Sequence, residues 1–281
     1  MHRDTVSVVR RRFTTVSARV SSRASVARPL QAALALTALG WLISPAPALA
    51  ATLEPEAAAA FDLETFVEGI GQPTDIVTLP DGRAVITLRD GDIITVLPNK
   101  TQVTDHIDVL TGEGEQGLLG VVADPNFATN QYIYFYASAN SDADNRHQVH
   151  RYKLDAESKL DDMKVLVNMG LKGPANHNGG GLDFYNGALY ISVGDTGSNS
   201  VPPSNKFGTC LNVANGKILR VHPDTGMPMA DNPLMAATMV TGCNSPTGDA
   251  LSMQPPDKRI YAWGFRNPYR FQVDQKTGKM W

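Results

Sequence analysis

The sequence predicts an all-β fold, a β-propeller of small antiparallel sheets. Three observations predict it. Short β-branched and aromatic runs recur along the chain, broken by Pro-Asp-Gly, Asp-Gly-Asp and Asn-Gly turn signals. Outside the N-terminal leader, no long apolar stripe has the helical period. One plan also recurs: a small or polar lead-in, an inner strand, a turn rich in Asp, Asn or Gly, then an aromatic or apolar strand. It starts near Pro73, Gly117, Gly179 and Pro268, and such repetition marks a propeller. A β-sandwich is the competing all-β reading, and the repeat argues against it.

The elements follow in order. Residues 1–29 carry Arg3, Arg10, Arg11, Arg12, Arg19, Arg23 and Arg28 against one acid, Asp4. The apolar run Leu30–Ile43 follows, then Ala48-Leu49-Ala50, a small-x-small cleavage pattern. Residues 1–50 therefore read as a secretory signal peptide, with an uncleaved anchor or an organellar transit peptide as alternatives. The apolar run is short for a membrane span. Arg10–Phe13 faintly resembles a twin-arginine signal, although it lies far from that run. Residues 51–65 read as an Ala/Glu linker, and 66–281 as the propeller part.

Within 73–98, three apolar runs are separated by Pro80-Asp81-Gly82 and Asp90-Gly91-Asp92. Residues 117–138 repeat the plan around "DPNFATN". Residues 148–155 alternate as a strand, and 179–195 predict a strand pair about Asn186-Gly187. The fourth start, from Pro268, stops at Trp281 where a further strand is needed. A propeller closes on itself to protect its sheet edges, so an N-terminal fragment, or continuation past Trp281, is expected. Net charge is −3 over 281 residues, with 42% hydrophobic residues. That suits a soluble chain with a sizeable core, and gives no ground for a nucleic-acid or membrane-surface partner. Cys210 and Cys243 read either as one disulfide in an exported chain, stapling a polar insertion, or as two thiols.

Three stretches could carry chemistry. In "NHNGGG", His177 stands beside glycines that let backbone, or a flat ligand, approach closely. Asp195 lies eighteen residues on, across one hairpin, where it can meet His177 at the same end of a sheet and orient it as a base. The bland reading is a turn histidine and an Asx turn. In "WGFRNPYR", Pro268 biases Asn267 towards extended backbone. Arg266 offers a rigid fork for a carboxylate or developing oxyanion, or simply a surface ion pair. In "GEGEQGLLG", Gln116 heads an inner strand, as a ligand donor or an exposed loop amide.

Five stretches in series, "GEQGLLGVVADPNFATNQYIYFYAS", "HNGGGLDF", "ALYISVGDTG", "NGKILRVHPDTGMPMADNP" and "IYAWGFRNPYRF", resemble the glucose/sorbosone dehydrogenase family over about residues 66–281. The family comprises soluble quinoproteins that use pyrroloquinoline quinone (PQQ) on a six-bladed β-propeller. The resemblance implies that His177 is the general base that takes the anomeric proton of an aldose, and that Asp195 supports it. It implies that Arg266 and Asn267 contact cofactor and substrate, and that Gln116 hydrogen-bonds the cofactor. It further implies calcium, held by backbone carbonyls of a loop beyond Trp281; the basic residues for the PQQ carboxylates are expected there too. With the signal peptide read at residues 1–50, the expected protein is periplasmic or secreted. It oxidises aldoses to lactones and passes electrons to an external acceptor, without a stable membrane anchor. The insertion holding Cys210 and Cys243 differs among relatives, so substrate preference is not implied. Two other readings are a non-catalytic propeller that binds sugar or protein, and a calcium-dependent lactonase-type hydrolase using Asp195 and Asn267. The second leaves "HNGGG" and "WGFRNP" without a role.

Overall fold

The computed structural model describes residues 4–11, 54, 61–111, 114–139, 147–169, 176–197, 207–243 and 251–281. The apolar run, the cleavage pattern and most of the linker lie outside them. The chain divides into two compact units, Thr5–Glu68 and Gly69–Trp281 with Met1–Asp4. In the first, β1 (Asp4–Arg11) pairs with β2 (Phe61–Ile70) as a two-stranded sheet. The strand at residues 4–11 falls within the basic leader and was not expected from its composition.

The larger unit is all-β, as the turn signals predict. Its first sheet is the meander β3 (Pro73–Thr78), β4 (Ala84–Leu88), β5 (Asp92–Val96) and β6 (Gln102–His106). The second is β7 (Leu118–Ala123), β8 (Tyr132–Ser138), β9 (His147–Leu154) and β10 (Leu160–Met169). The third runs β11 (Leu182–Tyr185), β12 (Ala188–Val193), β13 (Lys217–Val221) and β16 (Ile260–Trp263). Between its last two strands the chain inserts a separate hairpin, β14 (Val240–Cys243) with β15 (Leu251–Gln254). Each four-stranded sheet is antiparallel, and each starts where the recurring plan starts. The fourth start gives the bridge Val273–Met280. One departure lies in "DPNFATN", whose second half is a short helix, α1 (Phe127–Asn130).

Burial explains why β8 reads as an unbroken apolar run. Alternate residues of a strand point to opposite faces. Ile133, Phe135 and Ala137 pack with Leu79, Val85 and Ile93 of the first sheet's side. Tyr134 and Tyr136 pack with Leu182, Leu189 and Ile191 of the third sheet. The second sheet is thus covered on both faces, and such strands lose the polar half of their alternation. Tyr134 meets Phe184 edge-on at 5.3 Å, and Tyr136 donates its hydroxyl to Asn178 O at 2.6 Å. The latter bond ties the second sheet to the turn that precedes β11.

Two details position the site. The loop between β11 and β12 is two residues, Asn186 and Gly187, both at positive φ (48° and 76°). That is the twist-matched turn favoured by Asn-Gly, so entry to and exit from this hairpin lie side by side. The other is Arg270, whose guanidinium stacks on Tyr269 at 4.4 Å and donates to Thr74 O at 2.5 Å and Leu119 O at 2.6 Å. It fastens the start of the fourth repeat to the first two sheets.

Candidate active site

His177 precedes β11 and Asp195 follows β12, so the short hairpin brings them to one end of the sheet. His177 Nδ1 lies 2.7 Å from Asp195 Oδ1, and their side chains are 11% and 15% exposed. An ionised carboxylate only accepts hydrogen bonds, so Nδ1 carries a proton, and whenever the ring is neutral its lone pair is on Nε2. Among the described residues no hydrogen bond engages Nε2. Asp195 Oδ1 also accepts from Gly197 N–H at 2.8 Å, and Asp195 N–H donates to Arg266 O at 2.8 Å.

Glycine is required here by close approach. A Cβ on Gly194 would collide with His177 O, and one on Gly197 with His177 Nδ1. The two glycines of "GDTG" therefore make room for the histidine. The run Gly179–Gly181 serves differently from the flat-ligand reading. Added Cβ atoms there would meet Ser192 O, Leu119 Cβ and the Phe271 ring. These glycines admit neighbouring segments of the protein itself.

Below Asp195 lies a polar layer. Thr196 Oγ1 donates to Asp195 O at 2.7 Å and accepts from Asn215 Nδ2 at 3.0 Å. Lys217 is fully buried, and its Nζ donates to Phe207 O, Asn215 O and Gly208 O at 2.6, 2.6 and 3.2 Å. Burial pushes its ammonium down to about 7, opposed by Asp257 and Asp195.

The other sequence-predicted residues fall as follows. Asn267 joins the His177 turn: its Oδ1 accepts from Gly179 N–H at 3.0 Å, and its Nδ2 donates to Glu115 Oε2 at 3.2 Å. Arg266 reaches the site through its carbonyl, while the residue as a whole is exposed. Gln116 is buried at 2% exposure rather than an exposed loop amide, and its carbonyl accepts from Arg89 Nε at 3.0 Å. Cys210 and Cys243 form a disulfide with Cα atoms 5.4 Å apart. Asn212 brackets Cys243, accepting from its N–H and donating to its carbonyl, both at 2.8 Å. Among the described residues no group of three or more His, Cys, Asp or Glu could hold a metal ion. No described helix is long and apolar enough to cross a membrane.

Sequence reasoning missed Glu115 and Lys217. Glu115 stands in "GEGEQGLLG" directly before Gln116, whose amide is the more evident ligand donor. Its one signal is a carboxylate in a glycine-rich loop with no basic residue nearby in sequence. Lys217 reads as the polar start of a strand, and nothing local announces a buried ammonium.

The family model for glucose/sorbosone dehydrogenases matches residues 70–281. The chain is 25% identical to quinoprotein glucose dehydrogenase B of Acinetobacter calcoaceticus over 74% of its own length and 45% of that protein's. It is 26% identical to the aldose sugar dehydrogenase YliI of Escherichia coli K12, over 80% of this chain and 56% of that one. The structure resembles the PQQ-bound aldose sugar dehydrogenase of Streptomyces coelicolor with a TM-score of 0.56 and 23% identity, over 75% of this chain and 56% of that one. At that identity the likeness speaks for the fold. The chain spans about half the length of the curated relatives it matches.

Proposed function

The chain belongs to the glucose/sorbosone dehydrogenase family, and from that premise we propose that the protein is an exported quinoprotein that oxidises aldoses to lactones. Its sheets are read as consecutive blades of a six-bladed propeller, with PQQ and calcium as cofactors and an external electron acceptor as partner. The observation that carries the proposal is the 2.7 Å contact of His177 Nδ1 with Asp195. It leaves Nε2 as the basic atom beside the glycine-rich turn at Gly179–Gly181.

The residues present fit the quinone on the proton-accepting side. His177 supplies a base, Asp195 its orienter, and Arg266 an exposed cation next to Asn267. PQQ, when bound, supplies the hydride acceptor, and calcium would act there as a Lewis acid with oxygen ligands. Oxidation of an aldose at its anomeric carbon removes one hydride and one proton. His177 Nε2 takes the proton from the anomeric hydroxyl, and Asp195 stabilises the imidazolium that results. Arg266 is assigned the oxygen that gains charge, and buried Gln116 a cofactor hydrogen bond. Asn267 has one donor on Nδ2 already given to Glu115, so its second N–H is the one left for cofactor or substrate.

A non-catalytic propeller that binds sugar or protein has no use for a base held in one tautomer. The substitution His177→Ala separates the two readings. With the whole protein, PQQ, calcium and a redox dye, we expect aldose oxidation to fall by about 10²–10⁴-fold, the usual contribution of a general base. PQQ binding should persist. Unchanged turnover would remove His177 from the reaction.

A further inference from the structure

Glu115 lies in the loop before β7, yet its carboxylate ends in the turn that carries His177. A single oxygen, Oε2, accepts from His177 N–H at 2.8 Å, from Asn178 N–H at 3.3 Å and from Asn267 Nδ2 at 3.2 Å. Asn267 Oδ1 then accepts from Gly179 N–H at 3.0 Å. Three successive backbone donors, 177 to 179, are thus answered by two side chains from distant parts of the chain. Successive N–H groups in a turn of left-handed character form a concavity suited to an anion. Here the anion is a side chain of the protein itself.

The backbone of His177 gives this contact its consequence. His177 has φ +58°, a left-handed conformation that a residue with a Cβ keeps only where its surroundings fix it. Its carbonyl is held by Thr196 N–H at 3.1 Å and its ring by Asp195. If φ relaxed to the ordinary negative range, the Cα–Cβ bond would swing to another direction. The imidazole would then leave the 2.7 Å contact. The N–H side of the residue is held by Glu115 alone among the described residues.

We propose that Glu115 is the positioning residue for His177: its carboxylate, seated among the N–H groups of residues 177 and 178, holds the left-handed turn from which the imidazole meets Asp195. The catalytic consequence rests on the reading of His177 as the base, but the positioning does not. A neutral amide at 115 keeps one acceptor oxygen and makes weaker bonds than a carboxylate, so Glu115→Gln should show a milder form of the Glu115→Ala defect.

The test uses the whole protein with ¹⁵N-labelled histidine, free of cofactor, so that its reading does not depend on turnover. In wild type the His177 nitrogens should report one neutral tautomer, Nδ1–H. In Glu115→Ala that signature should give way to a tautomer mixture, and amide exchange at residues 177 and 178 should rise by about tenfold or more. Glu115→Gln should lie between, and it carries the comparison alone if the alanine variant does not fold. With PQQ and calcium added, kcat for an aldose should fall by about 10²-fold in Glu115→Ala with little change in KM, the pattern of lost alignment. A wild-type tautomer and wild-type exchange rates in both variants would overturn the proposal. A changed tautomer in a protein that oxidises no aldose would support the positioning while refuting the proposed function.

Discussion

His177 is held by three groups: its amide by Glu115, its carbonyl by Thr196, and its Nδ1 by Asp195. An amide in place of the Asp195 carboxylate can present an N–H to Nδ1, which would move the ring proton to Nε2 and remove the base. Asp195→Asn should therefore lower kcat by about 10³-fold or more with the fold intact, together with a switch of the His177 tautomer seen by ¹⁵N spectroscopy. His150 tests stability on a separate histidine. It is buried, its Nε2 lies 2.8 Å from Gln148 Oε1, and burial pushes it down to about 4. In the unfolded chain it titrates near 6.5, so between these values the unfolded state binds more protons. Its contribution is complete above about pH 6.5 and is lost as the pH falls through 4, by up to about 3 kcal/mol. Denaturant unfolding at pH 7 and pH 4 should show the loss, and His150→Phe should reduce it.

At the scale of elements, the starts at Pro73, Gly117 and Gly179 each fall at or just before the first strand of a four-stranded sheet. They were legible because Gly and Pro punctuate the chain and Asn186-Gly187 fixes a two-residue turn. The second half of "DPNFATN" was not legible as a helix, because one short turn carries no periodicity. The pairing of His177 with Asp195 could be read from the hairpin between them, since entry and exit of a short antiparallel pair must adjoin. Glu115 could not, because its partners are 62 to 152 residues away and long-range partners leave no local pattern. The glycine run leaves room for backbone or for a flat ligand, and what fills that room is the protein itself. Sequence shows that glycine permits close approach, but not what approaches. The insertion is tied down by Cys210–Cys243, which closes a loop with a sequence separation of 33, and by Lys217 on the carbonyls of Phe207 and Gly208. Loop-closure entropy puts the disulfide at about 3–4 kcal/mol. Replacing both cysteines by serine should lower the denaturation free energy by that order, measured against wild type under the same redox conditions.

At the scale of the whole molecule, three meander sheets stack face to face, and the loops before β7, before β11, after β12 and after β16 converge on one histidine. Fold alone does not assign a function; the proposed one rests on that convergence together with family membership. The measurement that tests it most directly is aldose-dependent dye reduction by the whole protein, reconstituted with PQQ and calcium, for wild type and His177→Ala side by side. Wild type should turn over, and the variant should lose about 10²–10⁴-fold of that rate while PQQ remains bound. PQQ bound to wild type without oxidation of any aldose, or equal turnover in both proteins, would contradict the proposed function.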